Sequence, residues 1–116
     1  MNDEQPVIVL TTIGTADDAG KVANDVIEKR LAACVNVVGS IRSFYRWEGA
    51  VQEDGEQLLI INTVQGRVGA LREHLVRVHP YDVPEFIVVD TLEVWEKYAK
   101  WLVESCRPKE DESSRT

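Results

Sequence analysis

The sequence predicts an α+β fold: one antiparallel sheet with its main helices on a single face. Three observations carry that expectation. Short stretches rich in branched and aromatic residues alternate with stretches whose apolar residues recur at helical spacing. Their order is strand, helix, strand, strand, helix, strand, and then a further helix. The two central strands follow one another directly, so they form a hairpin and not a parallel crossover. A chain of 116 residues fits one domain that removes roughly two thirds of its unfolded surface from water.

The first strand is "VIVLTTI", whose continuous apolar run suits burial on both faces. Thr15 and Asp18 stand in capping-box spacing before Val22, Ala23, Val26 and Ile27, which share one helical face. That helix closes on Lys29 and Arg30, cations suited to its negative end. From Ala33 to Trp47 the chain reads as extended, with a bulge expected at Gly39. The stretch "EGAVQEDGE" is expected to turn, and "QLLIINTV" to return as the third strand. Val68, Leu71, Leu75 and Val78 make the stripe of a second helix, which Pro80 stops by disfavouring helical geometry at His79. Pro84 opens the fourth strand, "PEFIVVDTL", with Glu85 at its start. A last helix places Trp95, Tyr98 or Ala99, Leu102 and Cys106 on one face. The expected whole is a β-α-β-β-α-β, ferredoxin-like domain over residues 1–106, with an extra C-terminal helix and a disordered acidic tail over 107–116.

Composition narrows the partners. The net charge of −7 repels phosphate backbones, and no basic cluster offsets it, so no nucleic-acid role is expected. No stretch is long and apolar enough for a membrane span, and the first ten residues carry acids where a secretory signal has cations. A cytoplasmic protein with reduced thiols is the expectation, since Cys34 and Cys106 form no C-x-x-C motif.

A globule of this size is roughly 35 Å across, whereas fifteen extended residues reach about 50 Å. The hairpin therefore overreaches its own core, and its outer half carries Ile41, Phe44, Tyr45 and Trp47. Such an arm calls for burial by a second copy of the chain.

Candidate site residues each admit two readings. His79 is a helix-end turn residue or a metal ligand, and copper(II) or zinc requires further donors beside it. Glu85 is an oxygen ligand or a solvated carboxylate. Cys34 is a small buried residue or a ligand or nucleophile. Asn36, a polar amide within a strand, bonds across the sheet or lines an inter-subunit cleft. Tyr45, Trp47, Tyr81 and Trp101 line a ligand cleft or anchor an interface. His74 is expected beside the core or facing solvent. No nucleophile motif or paired acids point to an enzyme.

The stretches "EKRLAACVNVV", "IRSFYRWEGAVQEDGEQLLIINT", "HPYDVPE" and "YAKWL" together resemble the CutA family of divalent-cation tolerance proteins. The resemblance runs from about Val7 to Ser105. It implies a homotrimer of ferredoxin-like subunits, similar in shape to the PII signalling proteins, that binds divalent metal ions, copper(II) among them, and contributes to metal tolerance. An alternative it implies is a PII-like sensor holding a small anionic ligand or metabolite between subunits. Family positions proposed as copper ligands are a cysteine and two histidines; here Thr11, Val78 and His79 stand there, so only one is kept.

Overall fold

A computed structural model describes residues 2–109. Its elements are β1 (Pro6–Ile13), α1 (Ala16–Glu28), β2 (Cys34–Trp47), β3 (Ala50–Val64), α2 (Gln65–Val78), β4 (Ile87–Asp90) and α3 (Glu96–Ser105). The strands form one sheet in the order β2-β3-β1-β4 with every neighbour antiparallel. This is the ferredoxin-like order, as the alternation of elements predicts. From residue 110 on, the expected tail lies outside the described residues.

Alternation along the strands decides the core. Val9 and Ile13 of β1 and Leu59 and Ile61 of β3 point to one face, where they meet Val22 and Val26 of α1 and Leu71 and Leu75 of α2. Each such side chain contributes about 1.5–3 kcal/mol by leaving water. A second cluster joins Val64 to Leu102 and Cys106 of α3. Trp95, expected on that buried face, stands at the N-cap of α3 and is 70 % exposed.

Thr15 caps α1 as its spacing predicts, its hydroxyl accepting the Asp18 N–H at 3.1 Å. The other end closes on Arg30 in the left-handed region, φ +57. The Arg30 N–H donates to Ile27 and the Leu31 N–H to Val26, the paired bonds of a Schellman ending. Helix α2 has no side-chain cap. Instead the N-terminal segment folds over it, Gln5 accepting from the Gln65 N–H and Asp3 from the Gly66 N–H. A Cβ on Gly66 would stand 3.0 Å from that Asp3 carbonyl, so this close approach requires glycine.

The hairpin differs from expectation in its turn. Only Glu48 and Gly49 connect the strands, both at positive φ (49 and 78), which fits a type I′ turn and the natural twist of a two-strand ribbon. Polar "QEDGE" is thus strand and not turn: residues 52–55 are exposed on both faces of the arm, and Glu56 at its base is buried. The bulge falls between Val38 and Ile41, and the residue at positive φ is Ser40 (φ 60), beside the expected Gly39. Strand β4 is shorter than expected and begins at Ile87, so Glu85 precedes it in an irregular loop.

The molecule measures 55 × 34 × 25 Å, the long axis reflecting the arm. Helices α1 and α2 cover one sheet face. On the opposite face Val38, Ile87 and Val89 remain exposed, and α3 reaches it at one end through a hydrogen bond from Asn62 to the Tyr98 hydroxyl (2.8 Å).

Candidate functional site

The segment after α2 determines the site. The His79 N–H donates to Leu75 and closes the helix, and Pro80 turns the chain away. The His79 ring is buried, with Nε2 2.7 Å from the Thr12 carbonyl and Nδ1 3.1 Å from the Tyr81 N–H. A carbonyl only accepts and an amide N–H only donates, so Nε2 carries the proton and Nδ1 the lone pair. His79 is therefore a neutral imidazole with both nitrogens engaged. It is not the imidazolium that its helix-end position suggests, and it has no free lone pair for an ion.

That clamp sets Tyr81 beneath the end of β1, where its hydroxyl lies 3.2 Å from the position a Cβ on Gly14 would take. The hydroxyl donates to Glu56 Oε2 at 2.7 Å. Burial, and then this bond to a carboxylate, push the Tyr81 phenol well above its ordinary pKa. On the arm, Tyr45 donates to Asp54 in the same way, and that bond is the main cause of its raised phenol pKa. Strand alternation explains the pairing, because Ser43, Tyr45 and Trp47 of β2 face Asp54 and Gln52 of β3 on one side of the ribbon.

Between the arm, the end of β1 and the loop 79–86 lies a cavity of about 580 Å³. Four carboxylates line it, Asp54, Glu56, Asp82 and Glu85, together with Phe44, Tyr45, Trp47, Tyr81, Val83, Ser43 and Thr12. No lysine or arginine is among these residues, a field that repels anions.

Of the residues singled out from sequence, Tyr45, Trp47, Tyr81 and Glu85 meet here. Cys34 lies half-buried on the helix-free sheet face, its thiol 3.9 Å from Asn36 Oδ1, and Asn36 is exposed there and not buried in the sheet. Trp101 is on α3, its ring 5.4 Å from Tyr98. His79, Glu85 and Cys34 are not gathered into a centre. Among the described residues no group of three or more His, Cys, Asp or Glu side chains is arranged to hold a metal ion.

Sequence reading missed Asp54, Glu56 and Asp82. The period-two placement of Asp54 and Glu56 in "EDGE" was the available signal. His74 is buried beside the core and does not face solvent, the first of its two expected placements. Its Nε2 pairs with Asp25 of α1 and its Nδ1 accepts from Arg77 at 3.2 Å. Thr11 is buried with its hydroxyl unpartnered among the described residues.

Residues 7–105 match a family model described as CutA1 divalent ion tolerance protein. The chain is 44 % identical over 101 residues to Protein CutA, chloroplastic, of Arabidopsis thaliana, covering 87 % of this chain but 56 % of that one. It thus spans about half the length of that plant relative. It is 40 % identical over 98 residues to the divalent-cation tolerance protein CutA of Thermus thermophilus, covering 84 % and 95 % of the two chains. The crystal structure of CutA1 from Oryza sativa superposes with a TM-score of 0.87 at 42 % identity, over 89 % of this chain and 94 % of that one. Among the described residues no helix is long and apolar enough to cross a membrane.

Proposed function

The chain belongs to the CutA1 divalent ion tolerance family, and from that premise we propose that it is a non-enzymatic, cytoplasmic homotrimer that binds divalent metal ions, copper(II) among them, in metal tolerance. The observation that carries the reading is the convergence of Asp54, Glu56, Asp82 and Glu85 on one cavity without a lining cation. Asp82 and Glu85 are the exposed carboxylates contributed by its loop. Oxygen donors of this kind accept many divalent ions, and copper(II) stands highest in affinity among the first-row series.

A single chain does not complete a coordination shell, so a neighbouring copy supplies the remaining donors. The half-buried Cys34 thiol, on the sheet face that a neighbour would cover, is one such donor. The two free sheet edges differ, being the arm of β2 and the short β4. Pairing unlike edges head to tail suits a closed ring, and three subunits is the number that the resemblance to the CutA family implies. A sensor for small anions is the weaker reading, because the acidic lining opposes it.

Native mass spectrometry with and without copper(II) tests this. The expected result is an assembly of three 13.1 kDa subunits that gains ions, with fewer retained in the double variant Asp82→Asn, Glu85→Gln. A monomer, or ion uptake indifferent to those substitutions, refutes the reading.

A further inference from the structure

The cavity at the base of the arm suits something larger than an ion. Its volume of about 580 Å³ lies within the roughly 300–1,000 Å³ of small-molecule sites. Glu56, one of its lining residues, is 7 % exposed. Among the described residues no lysine, arginine or histidine lies within ion-pair distance of it. Its hydrogen-bond partner is the Tyr81 hydroxyl at 2.7 Å. That phenol is neutral, so it orients the carboxylate without cancelling the charge. Carboxylates buried to this degree are ordinarily paired, because an uncompensated desolvated charge is strongly unfavourable.

The walls bear on what the missing charge is carried by. Phe44, Tyr45 and Trp47 line the cavity and, in the single chain, are 60 %, 42 % and 49 % exposed. Aromatic faces attract cations, and the arm already shows such a contact, with the Arg42 guanidinium 5.2 Å from the centre of the Phe44 ring. Arg42 is itself paired with Glu53 and does not neutralise the cavity. Asp54, oriented by Tyr45, adds a second negative charge.

We propose that this cavity binds a small organic cation, an ammonium group on an alkyl or aryl body, with Glu56 as its counter-ion and the aromatic rings of the arm as its walls. This goes beyond metal binding, since a bare ion neither fills the volume nor engages the rings.

The test is titration of the full-length, assembled protein with phenethylammonium chloride and with tetramethylammonium chloride. The signals followed are the backbone amide N–H resonances of Ser43 and Val83, which line the cavity, in chelator throughout, with sodium chloride at matched ionic strength as the blank. Saturable shifts are expected, with affinity at least about tenfold lower in Glu56→Gln, the loss expected for one charged hydrogen bond. Trp47→Leu weakens binding, and Glu73→Gln, on the exposed face of α2, leaves it unchanged. Absence of saturation by about 10 mM, or equal affinity in wild type and Glu56→Gln, overturns the proposal. Should Glu56→Gln fail to fold, equal affinity in wild type and Trp47→Leu overturns it instead. A cavity already filled by a basic side chain of a neighbouring copy gives no saturable shift and counts against it. Chelator keeps the outcome separate from whether the protein binds copper.

Discussion

Replacing His79 by alanine separates a positioning role from a ligand role. The change removes the donor to the Thr12 carbonyl and the acceptor for the Tyr81 N–H. It also removes a ring packed 4.7 Å from that of Tyr81. Each lost hydrogen bond is worth about 1 kcal/mol, and more where the partner stays buried and unsatisfied. With the lost ring packing, a destabilisation of about 3 kcal/mol follows. For a urea slope of about 2 kcal/mol/M, the midpoint falls by about 1.5 M. The assay is urea unfolding followed by circular dichroism at one fixed protein concentration, because assembly makes the midpoint concentration-dependent. His79→Asn returns an acceptor near the Nδ1 position and His79→Gln a donor near Nε2, so each should recover part of the loss. Copper stoichiometry should be the same in all four proteins. A midpoint shift below about 0.3 M, or fewer bound copper ions with unchanged stability, refutes the clamp and restores His79 as a ligand.

Two further outcomes are expected. Arg30→Gly should raise stability by about 1 kcal/mol, because glycine takes the left-handed region without the penalty that arginine pays at φ +57. The Arg67 contact to the Arg30 carbonyl is a backbone one and survives the change; a lower midpoint would contradict this. The Asp25 carboxyl is held below its ordinary value of 3.8, first by the Lys29 hydrogen bond and then by that of His74. A depressed native pKa gives stability that is present above the unfolded value and lost as pH falls through the native one. The gap between wild type and Asp25→Asn should therefore be full near neutral pH and close below about pH 4, and a gap independent of pH would remove Asp25 from acid sensitivity.

The sequence disclosed what depends on neighbours along the chain. Thr15 and Asp18 are three residues apart, and their hydrogen bond forms as the spacing predicts. Pro80 ends α2 through a clash with the residue before it, again a local effect. The arm's excess length was legible as well, since it needs only the rise per residue and the size of a globule. Its turn was misread because the usual cue, polar and glycine-rich residues, also describes a ribbon wet on both faces. In "EGAVQEDGE" only Glu48 and Gly49 take positive φ, and nothing in composition distinguishes them from Asp54 and Gly55.

The site lay further from reach because its contacts are remote in sequence. The His79 ring binds a carbonyl 67 residues earlier, and Tyr81 reaches a carboxylate 25 residues earlier. Local pattern places a histidine at a helix end, where the dipole favours its charged form. Tertiary contact instead presents the Thr12 carbonyl to Nε2, the turn after Pro80 presents the Tyr81 N–H to Nδ1, and the neutral tautomer is the only one that satisfies both. The same clamp sets Tyr81 against Glu56, so the residue that reads as the metal ligand instead fixes the loop on which the carboxylate cavity depends. Removing His79 should thus disturb the cavity without removing any group that lines it, so organic-cation affinity and stability should fall together in His79→Ala, with the number of copper ions bound at saturation unchanged, while Glu56→Gln lowers organic-cation affinity with stability kept.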